Sequence, residues 1–316
     1  MDILYFFESI RTPALNAVVL ILTELGSEVG FLAAALIFFW CVDKRQGYYI
    51  MSVGFLGVII NQIMKILFMI PRPWIKDPTF KPVDGAVEGA GGYSFPSGHT
   101  QNSTGTFGSI ALIAKKNWLR ILSVAIIIII PLTRMYLGVH TLLDVSVSLL
   151  IGAILVLTLY PLFEYTKKNP NFMYILLGIF FLMSIGFTLF AYLFNFPADI
   201  DKENLYELRK NAATLLGATA GVFCLYPIER KFIDFDTKAP LAGQIVKVVV
   251  GLIAVVGVKE GLKVVFKIFG NGTEALWLRS IRYFIVVAVA MAVYPMLFKY
   301  LSKIGQIKDR QKSDSL

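Results

Sequence analysis

The chain holds two histidines, His99 and His140. His140 is followed four residues later by Asp144. At that spacing two side chains share a helix face. A carboxylate at one ring nitrogen sets the tautomer and leaves the other nitrogen free to attack. Arg134 precedes the pair and suits an anion through its planar fork of donors. His99 closes the run Pro96-Ser97-Gly98-His99. Proline then serine predicts a helix start, whose free N–H groups and dipole favour phosphate. Gly98 lets an oxyanion approach the backbone, and Ser97 adds a hydroxyl. A third patch places Lys65 seven residues before Arg72-Pro73, near the end of an apolar helix. Charge at such depth is costly and marks function by default.

Each patch alone has an ordinary reading: snorkelling anchors, a proline-led helix cap, a structural His–Asp pair. Together they amount to a cationic cradle, a nucleophile and a proton donor. That is the equipment for transferring a phosphoryl group.

Apolar helices must position these residues. The chain has 316 residues, of which 57% are hydrophobic and 16% charged, with a mean hydropathy of +0.70. A soluble domain carries about 25% charged residues. Runs of some 20 apolar residues, the length that crosses a bilayer, recur along the chain. The expected fold is an all-α polytopic membrane bundle. It has about nine spans, near residues 28–42, 47–70, 98–114, 119–137, 141–163, 171–194, 209–226, 241–258 and 276–300. Residues 1–24 read as an interfacial helix with Leu4, Phe6, Phe7, Ile10, Leu15 and Val18 on its apolar face. MDILYFFESIR lacks the basic start of a cleavable signal, so the first helix is expected to target the chain. Cys41 and Cys224 read as buried free thiols. The net charge of +9 fits basic loops facing anionic headgroups rather than nucleic acid.

Loop charges set an orientation. Lys44-Arg45, Lys115-Lys116-Arg120, Lys167-Lys168, Arg230-Lys231-Lys238 and the tail after Lys299 form a basic set, which the positive-inside rule places in the cytoplasm. The alternate loops, 71–97, 138–141, 195–208 and 259–275, are mixed and face outside. All three patches then share the outer face. Lys259, Lys263 and Lys267 suggest an amphipathic stretch. Three Tyr-Pro pairs, at 160, 226 and 294, are expected at helix ends. The loop 195–210 is either a lid or a solvated connection.

The spacings Lys65…Arg72-Pro73, Pro96-Ser97-Gly98-His99 and Thr133-Arg134…His140…Asp144 resemble the type 2 phosphatidic acid phosphatase (PAP2) family. Thr133 stands where the family has serine, which keeps the hydroxyl. The resemblance covers about residues 28 to 165. It implies a phosphatase core in 1–170, with 171–316 as additional helices. It implies His140 as nucleophile, Asp144 as its orienting partner and His99 as acid and base. Lys65, Arg72, Ser97, Gly98 and Arg134 would hold the phosphoryl oxygens, with no metal and no cofactor. The implied partner is a lipid phosphate monoester or pyrophosphate met in the bilayer, at a site facing outside a bacterial plasma membrane. Other readings are a phosphotransferase, a glucose-6-phosphatase-like sugar phosphatase and, outside catalysis, a phosphate-lipid transporter. A transporter has no need of His99, His140 and Asp144.

Overall fold

In hydrocarbon every backbone N–H and C=O must be satisfied within its own segment, so long apolar runs become helices. The computed structural model describes residues 1–197, 200–269 and 276–305. The regular elements of those residues are all helical. They are α1 (Asp2–Ser9), α2 (Pro13–Thr23), α3 (Glu28–Cys41), α4 (Lys44–Phe68), α5 (Pro73–Lys76), α6 (Gly98–Ile113) and α7 (Asn117–Tyr136). They continue as α8 (Leu142–Tyr165), α9 (Phe172–Leu193), α10 (Lys202–Ile228), α11 (Leu241–Phe266), α12 (Leu276–Ala288) and α13 (Phe298–Leu301).

Seven helices are long and apolar enough to cross a membrane. The number becomes eight if Pro13–Gly26 and Glu28–Cys41, bent by 50° at their junction, count as one span. The expected nine included two that form helices of only 14 and 16 residues, α3 and α6. At 1.5 Å per residue these reach about 21 and 24 Å, short of a hydrocarbon core of roughly 30 Å. For α6 the polar residues at its ends explain the shortfall: Ser97 caps its start, and Lys115-Lys116 follow it.

The chain divides into two compact units. One comprises residues 1–34, 49–165 and 193–211. Within it α6 packs against α7 and α8, and α1 and α2 lie along α7. The α6 face is lined by small polar residues, Thr100, Ser103, Thr104 and Ser109 among them, all buried. Leu4 and Val19 turn inward from α1 and α2, whereas Phe6, Val18 and Ile21 remain exposed. The N-terminal segment therefore has two apolar faces, one for α7 and one for its surroundings.

The other unit comprises 35–48, 166–192 and 212–316. Its core is aromatic: Trp40 donates to the Ala290 carbonyl at 2.9 Å and meets the Tyr294 and Phe298 rings edge-on. Three expectations change along the chain. Cys41 is only partly buried and Cys224 is exposed, because an apolar stretch supplies lipid-facing positions as readily as core ones. Pro161 and Pro227 lie inside α8 and α10 rather than ending them. Lys259 and Lys263 sit within α11, each within 3.6 Å of Glu260. Residues 270–275 of the loop after α11, 198–199 of the 195–210 loop and the tail from 306 lie outside the described residues.

Candidate active site

Four short segments of the first unit build the site. The turn between α7 and α8 carries His140. Helix α7 ends through Gly138, whose φ of +77° suits a residue without a side chain. A Cβ there would also lie 2.8 Å from Phe80 and 2.9 Å from Arg11 Nη2. Arg11 clamps the same turn by donating Nε and Nη2 to the Tyr136 carbonyl, at 3.0 and 2.8 Å. Helix α8 then starts with a reciprocal cap. The Thr141 N–H donates to Asp144 Oδ2 at 2.7 Å, and the Asp144 N–H approaches Thr141 Oγ1 at 3.4 Å. The carboxylate facing His140 is thus also a helix cap. Ser94 Oγ donates to the same Oδ2 at 2.6 Å.

His140 is 2% exposed. Its Nε2 lies 2.9 Å from Arg72 Nη1 and its Nδ1 3.5 Å from Asp144 Oδ2. A guanidinium can only donate, so Nε2 is the acceptor and the ring proton resides on Nδ1, on the aspartate side. The approach to Asp144 is longer than a hydrogen bond, and Nδ1 has no hydrogen-bond partner. Burial first, then the charges of Arg72, Arg134 and Lys65, hold His140 well below the ordinary imidazole pKa. The ring is therefore neutral, with its Nε2 lone pair turned to the cations.

Those cations are held by backbone and hydroxyl oxygens. Arg72 donates to the carbonyls of Val139 (2.9 Å), Gly92 (3.0 Å) and Gly91 (2.9 Å). Lys65 donates to the Tyr93 carbonyl. Arg134 Nη1 donates to Thr23 Oγ1 at 2.9 Å, and its Nε is buried without a partner. All three side chains are at most 7% exposed. Thr133 Oγ1 donates to the Ile130 carbonyl at 2.7 Å and reaches Thr23 at 3.2 Å, so its hydroxyl serves the helix.

The run 96–99 enters α6 as its first turn. Ser97 caps the helix, accepting from the Thr100 N–H at 3.4 Å. A Cβ on Gly98 would meet only Asn61 Oδ1, at 3.8 Å, so its backbone stands open. Asn61 Nδ2 donates to Gln101 Oε1 at 2.9 Å and to the Pro96 carbonyl at 3.3 Å, fixing this turn against α4. His99 is half-buried, and Arg134, Arg72 and Lys65 all act electrostatically on it.

The eight residues singled out by sequence thus fall in one unit, around one His–Arg contact. The supporting set was not anticipated. Asn61 carried a signal, being a polar residue in an apolar helix four positions before Lys65. Thr141 carried one too, as the start of Thr-x-x-Asp. Ser94, Thr23 and Arg11 had none, because distant loops bring them in.

Comparison with known proteins identifies the family of the chain. The PAP2 superfamily matches residues 46–168, and the PAP2 superfamily phosphatase transmembrane extension matches residues 210–306. The two matches together span more than half of the chain, which belongs to the PAP2 superfamily and is an integral membrane protein. Sphingosine-1-phosphate phosphatase 1 of Rattus norvegicus is 27% identical over 209 residues, 64% of this chain and 46% of that protein. Dihydrosphingosine 1-phosphate phosphatase of Schizosaccharomyces pombe is 30% identical over 169 residues, 48% of this chain and 39% of that protein. Undecaprenyl-diphosphatase of Sulfolobus acidocaldarius is 27% identical over 150 residues, 45% of this chain and 68% of that protein. The chain therefore spans less than half the length of the first two. No solved structure matches it.

Proposed function

We propose that the protein is a metal-independent phosphatase of a membrane lipid phosphate, working through a phosphohistidine. The observation that carries the reading is the His140 Nε2 lone pair at 2.9 Å from Arg72, inside a cradle shared with Lys65 and Arg134. Lys65, Arg72 and Arg134 outnumber the carboxylate of Asp144 that faces His140, an excess of positive charge that suits a phosphate. Nε2 attacks phosphorus as the P–O ester bond breaks, and His99 gives its proton to the leaving oxygen. His99 then takes a proton from water, which attacks phosphorus while the P–N bond breaks. Asp144 faces the imidazolium-like ring throughout. Lys65, Arg72, Arg134, Ser97 and the Gly98 N–H stabilise the equatorial oxygens.

Among the described residues no three His, Cys, Asp or Glu side chains converge as a metal site would require, and fixed guanidinium and ammonium groups supply positive charge instead. The relatives' names include two sphingoid phosphates and one isoprenyl diphosphate, which supports a phosphate monoester or diphosphate on a long chain as substrate. Residues 1–170 supply the core, joined by the first turns of α10; α9 links the two matched regions, and the helices from residue 210 on belong to the extension. Basic loops on the alternate side support a site outside the cytoplasmic face of a bacterial plasma membrane. A cysteine at Asp84 labelled by an impermeant thiol reagent in intact cells is the expected result; labelling only after lysis would reverse the orientation.

The direct test is phosphate release by the purified protein in detergent with EDTA, offered phosphatidic acid, a sphingoid phosphate, a polyprenyl diphosphate and glucose 6-phosphate. Release from a lipid, abolished in His140→Ala, is expected. Release only when an acceptor alcohol is supplied would instead make it a phosphotransferase.

A further inference from the structure

Beside the phosphate cradle lies a small cavity of about 20 Å³, walled by Gln62, Lys65, Gly91, Gly92, Asn204 and Glu207. Asn204 and Glu207 come from the first turns of α10, between the two matched regions. We propose that this cavity is a subsite for an ammonium group carried by the substrate next to its phosphate, with Asn204 Oδ1 and the Glu207 carboxylate as acceptors. The proposal rests on the phosphatase reading for the identity of the phosphate and deepens it by naming the substrate class: phosphate esters of long-chain amino alcohols.

The donor and acceptor inventory carries the assignment. Asn204 Nδ2 donates to Asp201 Oδ2 at 2.7 Å, which fixes the amide so that Oδ1 is the remaining atom. Asp201 is itself fixed, its Oδ1 accepting from the Glu203 N–H at 3.0 Å at the start of α10. Asn204 is 9% exposed, and its Oδ1 is buried without a hydrogen-bond partner. A buried acceptor left unsatisfied is costly and calls for a donor. Glu207 offers only acceptors when ionised. One of its oxygens meets Lys210 at 2.6 Å, and both side chains are partly exposed.

The glycines open the space. A Cβ on Gly91 would lie 3.6 Å from Glu207 Cδ, and one on Gly92 would lie 3.5 Å from Asn204 Oδ1. The volume is that of about one water-sized group, which an ammonium matches and a larger headgroup does not. Lys65 is the cation on the wall, and its ammonium is engaged by the Tyr93 carbonyl. The Gly91 and Gly92 carbonyls on the same wall already accept from Arg72. A phosphate at Lys65 and Arg72 and an amine at Asn204 and Glu207 are thus neighbours across one short strand of backbone. An amine on the carbon next to the one bearing the ester oxygen places both groups on neighbouring atoms of one headgroup.

A rival role for Glu207 is that of counter-ion to Lys65, and one experiment separates the two. The affinity of His140→Ala protein is measured for 2-aminooctyl phosphate, 2-hydroxyoctyl phosphate and octyl phosphate. The amine-bearing ester is expected to bind tenfold or more tightly than octyl phosphate, with the hydroxyl ester between them. Adding Glu207→Gln is expected to collapse that ratio toward one, and adding Asn204→Ala to reduce it. Equal affinities for the amine and octyl esters would overturn the subsite, as would a Glu207→Gln change that weakens all three in parallel. Because the readout is binding, loss of turnover in the wild-type protein would count against the phosphatase reading alone.

Discussion

Two groups of buried or half-buried cations, one in each unit, are held in opposite ways. In the first unit Arg72 and Lys65 spend their donors on the carbonyls of residues 91–93 and 139. In the second, Lys44 lies 2.6 Å from Glu229 and 3.1 Å from Asp234, both carboxylates. The second group also borders the larger cavity, about 410 Å³, against about 20 Å³ beside Lys65. Cavity size does not mark the site. Carbonyls orient a cation while leaving its net charge for a ligand, whereas carboxylates cancel it.

The largest effect that tests this contrast is Arg72→Lys. A lysine keeps the charge but loses the fork that joins three carbonyls to His140. A fall of about 100-fold or more in kcat/KM is expected, with little change in thermal stability. Near-normal turnover would mean that charge alone suffices and that the carbonyl frame is incidental.

Ser94→Ala comes next. It removes a 2.6 Å donor from Asp144 Oδ2 and is expected to lower kcat by roughly 10-fold, the worth of one hydrogen bond to a charged group. A pH profile sharpens the same point. His140 is depressed by burial and by the three cations, so it stays neutral until pH falls well below the usual imidazole range. The acid limb of kcat/KM due to the nucleophile therefore lies below about pH 6.5. Arg72→Met should move that limb upward; an unmoved limb would show that the cations do not govern the nucleophile.

Lys44→Met tests the other side. It leaves Glu229 unpaired and is expected to cost roughly 1–3 kcal/mol in stability, less than a fully buried pair because Lys44 is partly exposed. Phosphate release should be preserved, and Lys44→Met/Glu229→Gln should recover stability. The smallest effect belongs to Thr133→Ser, expected within about 2-fold in kcat/KM because the hydroxyl that bonds Ile130 is retained.

The features readable in the sequence are those with a side-chain signature. Apolar runs announced the helices, and the costly residues among them announced the site: His140, Arg72 and Lys65 would not be buried without purpose. The acceptors that hold those cations are backbone carbonyls of residues 91–93, which any residue type supplies. Their placement was therefore invisible. The reach of α10 was hidden for a related reason. Asn204 and Glu207 fall in the stretch 195–210, read as a lid or a solvated connection; from Lys202 it is helix α10 instead, and only the chain path brings the two residues to Gly91 and Gly92. The span count comes out at seven or eight rather than about nine because α3 and α6 are short helices, and hydropathy averaged along the chain does not resolve where a helix ends.

The backbone frame around Arg72 also has a consequence for product release under the proposed reading. Three carbonyls hold the guanidinium, and they are backbone groups that a bound phosphate does not replace. The cradle cannot slacken once the ester is cleaved, and free orthophosphate meets the same arrangement that received the substrate. Under the proposed phosphatase reading, slow product departure is the expected outcome, measured as a burst of phosphate release before the steady state. Inorganic phosphate should act as a competitive inhibitor, and the hydrocarbon chain of an incoming lipid becomes the means of displacing it.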